Sequence, residues 1–174
     1  MTRDFHELVR ALNADRVRFV VIGVAGVNYY SQSASVLFAT SDRDLFLPLD
    51  PDNLVRAWLT CERADLELTS GREPLDQPRD RWLAERIVSQ RALTSASDGL
   101  DLRIDLTLVM AGFEFEQVWT SRRVFSAAGV DLPVARLSQI VASKAAAGRP
   151  KDRLFLETHK EALRELLPPN APKS

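Results

Sequence analysis

One cysteine, two histidines and two tyrosines in 174 residues remove several chemistries at once. Cys61 alone excludes an internal disulfide and a cysteine-rich zinc site, and His6 with His159 are too few for an imidazole-rich metal centre. Any metal held here is therefore held by oxygen. No run approaches the roughly eighteen apolar residues of a membrane-spanning helix, and the opening segment from Met1 to Glu7 lacks the apolar stretch of a secretory signal. The expected location is cytoplasmic, with no membrane partner. An excess of one charge is missing too: 23 Lys and Arg against 24 Asp and Glu give a formal net charge of −1, unlike the basic footprint of a duplex-DNA binder. A local basic patch remains compatible with that balance.

What is present is enough apolar material, 45% of the chain, for one domain with a real core. A single domain is expected over residues 1–167, and the proline-rich end, 168–174, is expected to be a disordered tail. Phe5, Leu8, Val9 and Leu12 recur at helical spacing, which predicts an amphipathic helix over about 3–12. The β-branched run from Arg18 to Gly23 predicts a strand ending in a glycine turn, and the small residues from Val24 to Val27 suit a helix packed closely on a sheet. Asp42 to Leu49 alternates as a strand. Asp50-Pro51-Asp52 then opens a helix ending near Cys61, with Asp50 as its cap. Residues 64–100 contain turn signals but no clear period, and Trp82 to Thr94 fits a helix or a strand equally. Leu100 to Val109 reads as a half-buried strand with Asp101, Arg103, Asp105 and Thr107 on one face. A short helix around Phe113, Val118 and Trp119 and a hairpin over 123–135 follow. Two helices close the chain: Gln139 to Ala147, then one from Pro150 whose stripe is Leu154, Leu156, Leu163, Leu166 and Leu167.

The chemistry concentrates in carboxylates. Asp42 and Asp44, separated by one residue on a strand, share a face at about 7 Å between their backbones, close enough to converge on one metal site. Asp105 on a second strand would complete an oxygen-only set suited to magnesium, and is preferred to Asp101 because it lies deeper in the alternating strand. Two such ions about 4 Å apart can stabilise both the attacking and the leaving oxygen of a phosphoryl displacement.

Four segments, Phe19 to Ala25, Thr40 to Leu45, Arg103 to Leu106 and Ser143 to Asp152, together resemble the nucleotidyltransferase superfamily. That group includes polymerase beta, aminoglycoside nucleotidyltransferases and bacterial abortive-infection toxins of the AbiEii type, and this chain is closest in pattern to the AbiEii-like and minimal members. The resemblance spans about residues 18–155. It implies an α/β (α+β) fold with a mixed, twisted sheet, an acidic face, helices packed behind it and two C-terminal helices. It also implies metal-dependent transfer of a nucleoside monophosphate from a nucleoside triphosphate to a hydroxyl. The catalytic and magnesium-binding roles then fall on Asp42, Asp44 and Asp105, and nucleotide binding on Gly23, Ser41, Lys144 and Lys151. The acceptor is open among an RNA end, a protein hydroxyl and a small molecule, and a toxin of this type would need an antitoxin-like partner protein.

The chain also departs from the family. Val24 stands where a glycine or serine is usual, which removes a hydroxyl hydrogen bond to phosphate or room for close backbone approach, and Tyr29-Tyr30-Ser31 replaces a frequent His-Gly or arginine. These changes motivate one alternative, a catalytically degenerate module of the same fold acting in binding or regulation, and a metal-dependent phosphoesterase using the same acids is a third reading. Lys144 reads equally as a phosphate ligand or as a solvated helix end. Asp152 reads as part of a helix-start ion cluster with Arg149. His6 and His159 are expected to face solvent, and Trp58, Trp82 and Trp119 to be core or interface aromatics.

Overall fold

The computed structural model describes residues 4–31, 38, 40 and 42–167, so Ser41 and the tail lie outside the described residues. Helix α1, Phe5–Ala14, begins at Asp4, whose carboxylate accepts the His6 N–H, and buries Phe5, Leu8, Val9 and Leu12 as their spacing requires. Strand β1, Val20–Ile22, is buried along its whole length and turns at Gly23 into helix α2, Gly23–Tyr30. A Cβ at Gly26 would meet Ile140 Cδ1 at 2.9 Å and the Val21 carbonyl at 3.2 Å, so its missing side chain sets how closely α2 packs. Strand β2, Asp42–Phe46, leads to helix α3, Pro51–Arg63. Asp50 Oδ1 caps α3 by accepting the Asp52 and Asn53 N–H groups at 3.0 and 3.3 Å. The buried amide of Asn53 accepts the Arg18 N–H at 2.7 Å and donates to the Arg18 carbonyl at 3.0 Å, which ties α3 to the start of β1.

The segment that the sequence leaves unreadable forms two short strands, β3 (Glu67–Ser70) and β4 (Glu73–Pro74), then helix α4 (Arg81–Gln90) and strand β5 (Thr94–Ser97). Trp82 to Thr94 is thus mostly helix, with Thr94 opening a strand. Strand β6, Arg103–Thr107, is shorter than its alternation suggests and leaves Asp101 in the exposed bend before it. Helix α5 (Phe115–Ser121) precedes the hairpin of β7 (Arg123–Ala127) and β8 (Val130–Val134), whose turn residues Ala128 and Gly129 both have positive φ, 52° and 73°.

Helix α6, Leu137–Ala147, is stopped by Gly148 in the left-handed conformation. The expected last helix is two, α7 (Pro150–Thr158) and α8 (Lys160–Leu166), joined at His159. The reason is geometric. Leu154 and Leu156 are two residues apart and cannot face one side of a helix, so Leu154 is left 69% exposed, and the turn at His159 aims Leu163 inward.

The strands form one mixed sheet in the order β4-β3-β5-β6-β2-β1-β8-β7, an α+β architecture. β2–β6 and β1–β8 are parallel, and the other neighbours are antiparallel. Alternation divides the side chains between two cores. Val21, Leu45, Ile104, Leu106 and Leu132 pack against α1, α3 and α4, where Trp58 and Leu54 are fully buried and each contributes about 1.5–3 kcal/mol of burial. Val20, Ile22 and Phe46 point the other way, toward α5, α6 and α8. Helices therefore cover both faces of the sheet, and the side that carries the acids is partly roofed by α6 and its successors. No helix among the described residues is long and apolar enough to cross a membrane.

Trp82 is 62% exposed, with the Arg86 guanidinium over its ring at 5.0 Å, so of the core and interface roles expected for the tryptophans it does not take the core one. Two sequence expectations need correction. His6 and His159 are half-buried rather than solvent-facing: His6 Nε2 lies 3.2 Å from the Tyr29 hydroxyl, and His159 meets the rings of Phe38 and Phe155 at 4.7 and 4.9 Å.

Candidate functional site

The parallel register of β2 and β6 sets Asp44 beside Asp105 and Asp42 beside Arg103. Because the strand period is two, all four side chains emerge on the face opposite Leu45, Ile104 and Leu106. Asp44 and Asp105 line a cavity of about 440 Å³, and Gly23, Ser143, Lys144, Arg149 and Lys151 line it as well. Asp42 is not in that lining; it sits at the outer edge, its carboxylate 53% exposed. The structure thus joins Asp44, Asp105, Gly23, Lys144 and Lys151 around one space, with Asp42 next to it. Among the described residues no group of three His, Cys, Asp or Glu side chains is close enough to form a metal cage by itself.

Each acid has a different environment. Asp105 Oδ1 accepts a 2.7 Å hydrogen bond from the Ser95 hydroxyl on β5 and lies 3.4 Å from Arg103 Nε. At Asp44, burial first and then the Asp105 carboxylate push the pKa above the ordinary 3.8. Lys144 opposes that rise, Asp42 adds to it, and Lys151 opposes it again. Asp44 therefore gives up its proton at a higher pH than a free aspartate, and a bound cation would oppose that rise.

Gly23 explains how the acid and the helix start come so close. Its φ is +69°, a region L side chains rarely adopt, and a Cβ there would fall on Oδ2 of Asp44. The absence of a side chain lets the α2 N-terminus and the carboxylate share one wall.

The opposite wall is cationic and built rather than loose. Asp152, 1% exposed, accepts from Arg149 Nε at 2.6 Å and Nη2 at 3.2 Å, and its Oδ1 is 3.5 Å from Lys144 Nζ. Burial alone would raise the Asp152 pKa, but the Arg149 hydrogen bond and the Lys144 charge outweigh it and hold the carboxyl below its ordinary value. Lys144 is neither a solvated helix end nor a free arm: its side chain is 14% exposed, with the ammonium 4.9 Å above the Phe155 ring. Lys151, at the start of α7, is exposed at the cavity rim.

Sequence reasoning did not assign Ser95, Arg103 or Arg149 to the site. Arg103 was signalled by its two-residue spacing from Asp105 on one face, and Arg149 by its place beside Lys151. Ser95 carried no signal, because its role depends on β5 pairing with β6. A second cavity of about 540 Å³ adjoins the first and shares Val109, Met110 and Ala111 with it. It is lined further by Arg18, Arg91, Phe46 and Phe115.

Comparison of the chain with protein-family models and with curated proteins returned no match.

Proposed function

We propose that this protein is a metal-dependent nucleotidyltransferase that moves a nucleoside monophosphate from a nucleoside triphosphate to a hydroxyl. The observation that carries the reading is the Asp44–Asp105 pair, set side by side by the β2–β6 register and faced across one cavity by Lys144, Arg149 and Lys151. Carboxylates opposite cations across a gap suit a polyphosphate that arrives with a hard divalent ion. The donor set is oxygen only, which fits magnesium; Asp44 and Asp105 would hold it, with Asp42 at the margin. When bound, magnesium neutralises charge on the phosphate oxygens and polarises the phosphorus under attack.

The chain's own residues supply the rest. Helix α2 begins at Gly23, in the lining of the cavity, so a phosphate there would be favoured by the helix N-terminus. Lys144 and Arg149, fixed by Asp152, and Lys151 at the rim balance the charge of the β- and γ-phosphates. Asp105, one oxygen of which is held by Ser95, is placed to accept the proton of the acceptor hydroxyl through the other. The hydroxyl oxygen bonds to the α-phosphorus, the bond between that phosphorus and its bridging oxygen to the β-phosphorus breaks, and pyrophosphate leaves. The adjoining cavity, joined to this one along Val109, Met110 and Ala111, would give an acceptor room.

A second reading, a non-catalytic module of the same fold, is favoured by two observations: Val24 offers no hydroxyl at the α2 start, and Arg103 already stands beside Asp42 and Asp105. The test is transfer of label from α-³²P and γ-³²P nucleoside triphosphates to cellular RNA, to protein and to hydroxylated small molecules, with magnesium. Label from the α-position alone, lost in Asp44→Asn, supports the transferase. Transfer from the γ-position alone, or no transfer with any donor, sinks it.

A further inference from the structure

The contact of Arg103 with two of the acids has no part in the transfer as described. Arg103 Nε is 3.4 Å from Asp105 Oδ1 and 4.0 Å from Asp42 Oδ1, so its guanidinium lies between the outer acid and the inner pair. An ion bridging Asp42 to Asp105 would have to occupy the same ground. The inner edge differs. Among the described residues no hydrogen bond or ion pair engages the Asp44 carboxylate, and the hydrogen bond and ion pair of Asp105 both fall on Oδ1.

Charge divides the site in the same way. Around the cavity the carboxylates of Asp42, Asp44, Asp105 and Asp152 are matched by Arg103, Lys144, Arg149 and Lys151. Without a ligand the site has no surplus of negative charge with which to attract a free divalent ion. A nucleoside triphosphate brings that surplus with it.

We propose that Arg103 takes the place of a second metal ion, so that the site binds a single divalent ion at the Asp44–Asp105 edge and binds it only together with a nucleoside triphosphate. The inference rests on the nucleotidyl-transfer reading and goes beyond it by fixing the number of ions and the form in which they arrive. Arg103 acts as a fixed counter-ion: it holds Asp42 and one oxygen of Asp105 and keeps the outer edge closed to a cation.

Equilibrium dialysis of the full chain against Mn²⁺ tests this without any turnover. The nucleotide probes are analogues of the four common triphosphates with a carbon bridge between the α- and β-phosphorus. Wild type should retain no Mn²⁺ alone and about one equivalent with nucleotide. Arg103→Gln removes the charge from a half-exposed strand position; it should retain Mn²⁺ without nucleotide, where its parent retains none, and take up a second equivalent with nucleotide. Arg103→Lys keeps the charge and should behave as wild type, and circular dichroism checks that each variant is folded. Mn²⁺ held by wild type without nucleotide, two equivalents held with it, or an Arg103→Gln profile equal to that of wild type would overturn the proposal while leaving the transferase reading intact. Retention by none of the proteins under any condition would overturn the transferase reading, and the proposal with it.

Discussion

A single methyl group added at Gly23 should disturb the protein more than the same change at a turn glycine elsewhere. Two costs add at Gly23. An L residue held at its φ of +69° loses about 1–2 kcal/mol to backbone sterics. The new Cβ would also fall on Oδ2 of Asp44, and turning that carboxyl off its preferred rotamer costs a further 0.5–1.5 kcal/mol or so. The expected loss for Gly23→Ala is therefore about 1.5–3.5 kcal/mol. Gly71 is the control: its φ is +64°, but a Cβ there meets nothing within 4 Å, so Gly71→Ala should lose only the backbone part, about 1–2 kcal/mol. Urea unfolding at constant m-value gives both numbers, and a melting curve should follow at about 2–4 °C per kcal/mol for a chain of this size. Combining Gly23→Ala with Asp44→Ala removes the obstructing carboxyl, so the pair should be less destabilising than the two changes summed. Equal losses at Gly23 and Gly71, with no coupling to Asp44, would refute the close approach of the helix start to the acid.

Other substitutions probe the remaining parts of the site. Asp44→Asn should raise stability at neutral pH, because the folded pKa of Asp44 lies above its ordinary 3.8. The stabilisation this group gives is complete below that value and is lost as pH rises through the folded pKa, so the advantage of the mutant should vanish on acidification; an advantage that grew toward low pH would reverse the sign. Asp152→Asn strips the partner from Lys144 and Arg149 and should cost about 2–3 kcal/mol in urea unfolding, below the range of a fully buried pair because Arg149 is 58% exposed. It should also weaken nucleotide binding, and a mutant with unchanged stability and affinity would show that the cationic wall does not depend on Asp152. Val24→Ser supplies a hydroxyl in the first turn of α2 and should tighten triphosphate binding by a factor that calorimetry resolves, corresponding to about 1.5–3 kcal/mol for a charge-assisted hydrogen bond. Unchanged or weaker affinity would mean that this turn does not contact phosphate.

Local signals made much of the fold legible before the structure, and tertiary pairing made the rest illegible. Asp50 with Pro51 announced α3, and Ala128-Gly129 announced the hairpin, because caps and turns are decided by neighbouring residues. Strand β5 could not be read that way. Thr94, Ser95, Ala96 and Ser97 look like a loop, yet the first three are buried, since Thr94 accepts from Trp58 Nε1 at 3.2 Å and Ser95 donates to Asp105. The site shows the same division. Spacing alone placed Asp42 with Asp44 on one face, and Arg103 with Asp105 on another strand's face, but the parallel register that sets Asp44 against Asp105 exists only in the sheet. Lys144 could not be decided from its helix position, because what holds it inside is Asp152, eight residues on and across a turn.

Isothermal titration calorimetry of nucleoside triphosphates into the full chain, with and without magnesium, tests the central claim most directly. The Asp44–Asp105 pair and the cations opposite it should give saturable heat with at least one triphosphate when magnesium is present. That heat should disappear on chelation and in Asp44→Asn and Asp105→Asn, because neutral amide oxygens do not offset the dehydration of the ion. Binding that persists undiminished in both variants, or a wild type that binds no triphosphate at all, would contradict a metal–nucleotide site at these residues.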